Sequence, residues 1–114
     1  MRLNKVVFSI FCVACLLTAC HKNDFATLSV DVSCATQGFV VQYGFEDKNV
    51  EQVVAGNVFH GEEVRVPIGA KVTALAQATG TQSLITLSVL RNGIIVQTAT
   101  DTGDYCIAAC DVVF

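Results

Sequence analysis

Six cysteines and two histidines are the side chains of this 114-residue sequence whose chemistry could define a function. A thiol can form a disulfide, bind a metal ion or accept a covalent group, and an imidazole can act as a base or a metal ligand. Which of these applies depends on the segment that carries each residue. The cysteines are Cys12, Cys15, Cys20, Cys34, Cys106 and Cys110.

The first twenty residues have the order of an export signal that ends in a cysteine. Arg2 and Lys5 supply positive charge, and residues 6–17 are apolar except for Ser9. The motif Leu17-Thr18-Ala19-Cys20 follows, and it resembles the lipobox of bacterial lipoproteins.

This resemblance implies that the sulfur of Cys20 receives a diacylglycerol and that a peptidase cuts directly before it. The freed amine then takes a further acyl chain such as palmitate. Residues 1–19 are then a signal peptide, and residues 20–26 are an acylated N-terminus with a short tether. Because His21 rather than aspartate follows the cysteine, the same resemblance favours an outer-membrane location, facing the periplasm or the surface.

Two other interpretations of this segment are an ordinary secretory signal and a short membrane anchor. A spanning helix needs about 20 apolar residues, and the polar residues from His21 onward end this run early. An ordinary cut after Ala19 would put Leu17 where a small residue is preferred. Lipidation is therefore favoured.

The charge balance of residues 20–114 excludes one class of partner. Loss of Arg2 and Lys5 leaves five basic residues against ten acidic ones, a formal charge of −5. This balance argues against nucleic-acid binding. No run of basic residues would hold anionic lipid, so we expect attachment to rest on acyl chains, at about 0.8 kcal/mol per buried methylene.

The rest of the chain, residues 27–114, has the patterning of short strands. Leu28, Val30, Val32 and Cys34 alternate with polar residues, which is typical of a half-buried strand. Asn92-Gly93 suits a two-residue type I′ hairpin turn, and Pro67 should end a strand or lie on an edge. Strands are predicted at residues 27–34, 39–45, 50–55, 64–66, 71–78, 83–90, 94–99 and 105–114.

Seven or eight short strands with frequent turns predict an all-β domain, an immunoglobulin-like antiparallel β-sandwich. A small closed barrel is the alternative. The segments GFVVQYG from Gly38, RVPIGAKVTALAQ from Arg65 and LSVLRNGIIV from Leu87 resemble the MmpS type of β-sandwich. MmpS proteins are membrane-tethered accessory subunits of RND-type exporters, so the resemblance implies this fold and an envelope protein partner.

Three cysteines remain in the exported domain, where the compartment is oxidising. Cys106 and Cys110 would lie about 13 Å apart on a regular strand, too far for a bridge between them. By the resemblance, Cys110 stands where the family has a cysteine near its C-terminus. The position that corresponds to the partner of that cysteine is Leu87 in this sequence, which cannot form a disulfide. We expect one disulfide, from Cys34 to Cys110 or, as second choice, from Cys34 to Cys106.

Catalytic and metal sites are weakly supported. Cys34, Cys106, Cys110 and His60 could form a Cys₃His zinc site, but no close C-x-x-C pair is present. His60 stands beside Glu62 and Glu63, yet no serine has the context of an activated nucleophile. We therefore predict no enzyme activity, no cofactor and no bound metal.

Two functions stay open at this point. The first is a small membrane-anchored exported lipoprotein that acts as a non-enzymatic binding or accessory module. The second is a structural or assembly component of the envelope that polymerises through exposed strand edges. The central hairpin is expected to carry a polar, uncharged side that could receive a protein or a glycan, formed by Ser83, Thr86, Ser88, Gln97, Thr98 and Thr100.

Overall fold

Alternating apolar residues fold this chain into two antiparallel β-sheets that pack face to face. The computed structural model describes residues 25–46 and 48–114. The strands are β1 Phe25–Cys34, β2 Phe39–Phe45, β3 Lys48–Val54, β4 Val58–His60, β5 Val64–Pro67, β6 Lys71–Ala78, β7 Ser83–Arg91, β8 Ile94–Gly103 and β9 Ile107–Val113. One sheet has the order β4-β1-β7-β8, with β5 also paired to β1, and the other has the order β3-β2-β6-β9.

The core lies between the sheets and is formed by every second residue of the inner strands. In β1, Leu28 and Val30 are fully buried, and in β7, Ile85 and Leu87 are too. Small side chains on β6 and β9, such as Ala76, face these larger ones. Such period-two burial identifies each strand's inner face, and it confirms the predicted all-β antiparallel sandwich over the closed barrel.

Residues 25–46 and 48–114 form nine strands, where seven or eight were expected. The additional strand is β4, at Val58–His60, which pairs with residues 31–33 of β1. The sequence predicted a break and then a bend in this segment, because Gly56-Asn57 and Gly61 leave only the three residues of Val58–His60 between them. Pro67 is the last residue of β5, as predicted. The first strand begins at Phe25, slightly before the predicted domain boundary at residue 27.

The sandwich has two ends, which we name by β1. At the proximal end, where β1 begins, Phe25 pairs with Pro67, and Lys71 pairs with Val113. The distal end is where β1 finishes at Cys34. The segment between β5 and β6 joins the two sheets at the proximal end, where the amide of Ala70 donates to the carbonyl of Pro67 at 3.1 Å.

The β7–β8 hairpin matches the turn predicted from Asn92-Gly93. Both turn residues have positive φ, 53° at Asn92 and 81° at Gly93, as a type I′ turn requires. The Oδ1 atom of Asn92 accepts a hydrogen bond from the amide of Thr27 at 2.9 Å, which ties this turn to β1. A bulge between Val89 and Leu90 shifts the register near the turn.

The β2–β3 hairpin depends on the absence of a side chain at Gly44. A Cβ atom there would collide with the Lys48 carbonyl oxygen and would lie 2.7 Å from the Asn49 Cα atom. We expect Gly44→Ala to lower the free energy of unfolding by about 1–3 kcal/mol, because backbone atoms must move. Chemical denaturation of the full chain measures this.

Gly56→Ala is the matched control, since a Cβ atom at Gly56 would meet no atom within 4 Å. It should change stability by less than Gly44→Ala does. Equal stability of the two variants would contradict the described approach of β3 to β2.

Candidate functional site

The predicted site residues fall into two groups. Cys20, the lipidation candidate, lies outside the described residues, as do residues 1–19. Cys34, Cys106 and Cys110 are all buried and all free, so the expected disulfide is not present among them. In the described part of the chain, no helix has the length and apolar character to cross a membrane.

Cys34 belongs to a small polar cluster at the distal end. Its sulfur lies 3.3 Å from the Ser83 hydroxyl, which in turn lies 2.8 Å from the Thr36 hydroxyl. Ser83 is the only polar residue among the buried residues of the described chain. The cluster therefore satisfies a buried hydroxyl and a thiol, which is a packing role.

The positions of the other two thiols bear on which of them could bridge to Cys34. The carbonyl of Cys106 accepts from the amide of Ala78 at the distal end, whereas Cys110 pairs with Ala74 in mid-sheet. Proximity to Cys34 is also one of the causes that raise the pKa of Cys106. Cys34 and Cys106 therefore lie near each other at the distal end. This arrangement suits the second of the two disulfides expected from the sequence, Cys34 to Cys106, better than the first, Cys34 to Cys110.

Burial makes these thiols poor nucleophiles. It is the main cause that raises the pKa of Cys106, with the charge of Asp101 adding to the effect. Burial also raises the pKa of Cys110, with a contribution from Asp111. Because the thiolate is the reactive form, thiols with a raised pKa stay protonated and inert near neutral pH.

His60 has a carboxylate partner, but not the one that the sequence indicated. Its Nδ1 atom lies 2.8 Å from Oδ1 of Asp31, because β4 pairs with β1 at these residues. The sequence had suggested Glu62 or Glu63. The His60 side chain is 75% exposed, and within residues 25–46 and 48–114 no hydroxyl bonds to it and no three metal-ligand side chains cluster.

A cleft of about 520 Å³ opens along one side of the sandwich, between the edge strand β3 of one sheet and β4 and β5 of the other. Tyr43 and Phe59 lie in it with ring centroids 6.3 Å apart. The Tyr43 hydroxyl donates to the Glu62 carbonyl at 3.3 Å, and burial raises the pKa of Tyr43. The full lining is Tyr43, Val50, Gln52, Val54, Val58, Phe59, His60, Glu62, Glu63 and Val64.

The lining of this cleft includes both apolar and acidic side chains. Val50 and Val58 are exposed there, and Glu62 and Glu63 belong to the same lining. Such a surface suits a ligand or peptide with apolar side chains and positive charge. The sequence did not reveal the cleft, since its walls come from strands of two different sheets.

The polar side of the β7–β8 hairpin is smaller than predicted. Thr86 lies 3.4 Å from Thr100, and Ser88 lies 3.1 Å from Thr98, measured between hydroxyl oxygens. Ser83 is buried on the inner face. Gln97 pairs with the buried Val89 and therefore shares that inner face, so including Ser83 and Gln97 on this side was wrong.

Comparison of the chain with models of known protein families gives no match, and comparison with curated protein sequences gives none either. The resemblance to MmpS domains therefore depends on the three quoted segments.

The buried thiols lead to a prediction about reactivity. In reducing buffer near neutral pH, we expect Cys34, Cys106 and Cys110 to be alkylated slowly in the folded protein and rapidly in denaturant, because all three are buried. The raised pKa values of the Cys106 and Cys110 thiols slow their reaction further. Mass spectrometry of the labelled peptides measures each rate.

Val53→Cys provides the matched control, since Val53 is 76% exposed. Its thiol should react quickly in the native state. Labelling of Cys106 as fast as that of the Val53→Cys thiol would show that the distal end is open, contrary to this arrangement.

Proposed function

We propose that this chain is a small exported lipoprotein, anchored to a membrane through acyl chains on Cys20, and that it acts as a non-enzymatic binding or accessory module. Its membrane is the bacterial outer membrane, on the periplasmic or the surface side. The MmpS resemblance supports an envelope transporter as the partner.

The observation that carries this proposal is the start of β1. Phe25 is already paired in the sheet, and it follows Cys20 by five residues. Five residues reach at most about 18 Å when extended. An acylated Cys20 would therefore hold the folded domain directly beside the bilayer, where position rather than catalysis is useful.

The cleft supports a binding role over an enzymatic one. It offers apolar walls and carboxylates, while His60 is exposed and paired with Asp31. A cleft whose lining mixes valine and aromatic side chains with polar and acidic ones can recognise a ligand or peptide. In an oxidising compartment, we expect any disulfide to join Cys34 and Cys106 at the distal end.

The second candidate is a structural or assembly component, and the two sheet edges favour it. Strand β8 is exposed along nearly its whole length, including Ile94 and Ile95, and β3 is exposed at the edge of the other sheet. Exposed edges can pair with another chain. A strictly monomeric protein in mild detergent would argue against this candidate.

Substitution of the acylated residue tests the anchor. In cells fed a labelled fatty acid, Cys20→Ser should abolish incorporation into this chain and shift it from the membrane to the soluble fraction, because the sulfur is the acceptor. Gel fluorography and fractionation measure the two effects.

Cys15→Ser is the control, because it removes a thiol from the same segment but not from the motif. Its labelling should equal that of the parent. Full labelling of the Cys20→Ser chain would refute the proposal.

Site-specific crosslinking tests the cleft. A photoreactive side chain in place of Val58, on the cleft wall, should give an adduct with the partner in intact cells. The same group in place of Leu84, which is exposed on β7 away from the cleft, should give much less. Equal adducts from both positions would contradict binding in the cleft.

A further inference from the structure

The fold gathers the positive charge of the domain at its proximal end. Lys48 opens β3, Lys71 opens β6 and Arg91 ends β7, and the pairings place all three there. Arg65 is on β5, beside the start of β1. These four are the only lysines and arginines of residues 25–46 and 48–114. They are far apart in the sequence, so no basic run predicts their cluster.

Aromatic rings at the same end hold three of these cations. The Arg65 guanidinium lies 4.5 Å from the centre of the Phe25 ring. Arg91 stands over Phe114 at 5.8 Å, and Lys48 lies 5.8 Å from the ring of Phe45. Cation–π contacts of this kind restrict the side chains without neutralising them.

Acidic side chains are sparse among the described residues at this end. Glu46 is the only one in the described proximal turns, while Asp24 and Asp47, next to Phe25 and Glu46 in the sequence, lie outside the described residues. None of the four cations forms an ion pair with a carboxylate in the described ranges, where the one such pair is between His60 and Asp31. The other described acidic side chains are on strands, at Asp31, Glu51, Asp101 and Asp111, or in connecting segments, at Glu62, Glu63 and Asp104. Of these, Asp111 pairs with Thr73, two residues from Lys71.

Exposed apolar side chains stand among the cations. Phe25, Ile68, Ile94, Ile95 and Val113 are between 47% and 69% exposed at the proximal end. The distal half also exposes apolar residues, such as Ile107, so apolar surface alone does not distinguish the ends. The positive charge does.

We propose that the proximal end is a docking surface for an anionic lipid bilayer. Phosphodiester headgroups would contact Lys48, Arg65, Lys71 and Arg91, while Ile94 and Ile95 at the hairpin tip enter the interface. Mixed basic and apolar surfaces bind anionic membranes in this way. The proposal rests on acylation of Cys20, which would place this end, where the tether joins β1, toward the membrane.

Single tryptophans can report the contact, because the chain contains none. Two full-length variants are purified after processing in cells: Ile95→Trp, at the proximal end, and Ile107→Trp, the distal control. Each is mixed with vesicles that contain brominated lipid, which quenches tryptophan fluorescence on contact. Vesicles are phosphatidylcholine alone or equimolar phosphatidylcholine and phosphatidylglycerol. We expect strong quenching of Ile95→Trp only with phosphatidylglycerol, and weak quenching of Ile107→Trp with both.

Charge removal tests the cause. Adding Arg65→Gln or Lys71→Gln to Ile95→Trp should each lower the ratio of docked to undocked protein about fivefold, since one basic residue near an anionic surface contributes roughly that factor. Ile94→Trp and Leu84→Trp, at other exposed positions, serve as a second reporter pair should the first fold poorly.

Intact mass before mixing separates this proposal from the anchor. If the chains are acylated but Ile95→Trp and Ile107→Trp are quenched equally, docking is refuted and the lipoprotein proposal stands. The same holds if the quenching of Ile95→Trp does not depend on phosphatidylglycerol. An unacylated chain that still quenches at Ile95→Trp with phosphatidylglycerol supports docking and contradicts the anchor.

Discussion

The hydrogen bonds of β1 connect most of the first sheet, and the rest of the molecule is arranged around them. One edge of this strand pairs with β7 from Leu28 to Cys34, and the other edge pairs with β5 and then β4. Its inward side chains are buried against the second sheet. Because a one-residue slip would turn every inward side chain outward, the alternation from Ala26 to Cys34 fixes the register of three neighbours at once.

The same strand links the fold to the proposed anchor. It begins with Phe25, five residues after Cys20, so acylation of Cys20 would hold the proximal end where the acyl chains enter a bilayer. The four cations and the hairpin tip lie at that end, whereas the cleft runs along the side and the buried thiols lie at mid-sheet and the distal end. A membrane contact and a partner contact could then be made simultaneously on different surfaces.

Local patterns in the sequence predicted the features that depend on local physics. The sandwich follows from period-two burial, and the β7–β8 turn follows from Asn92-Gly93, whose positive φ values few other residue pairs adopt easily. Pairings between distant segments were not predictable in this way. The partnership of His60 with Asp31, the walls of the cleft and the gathering of Arg65 with Lys71 all depend on which strands become neighbours. The placement of Cys106 rather than Cys110 beside Cys34 has the same origin. Ser83 and Gln97 face inward because Ser83 is three residues from Thr86 and Gln97 is one residue from Thr98, and successive side chains alternate between the two faces of a strand.

The lipoprotein proposal requires a mature protein that begins at an acylated Cys20. Intact-mass and fragment-ion analysis of the protein purified from the cell envelope identifies its first residue and the modification on it. We expect a chain that starts at Cys20 and carries a diacylglycerol on the Cys20 sulfur. A mature chain that starts at any other residue, or starts at Cys20 without lipid, would refute the proposal.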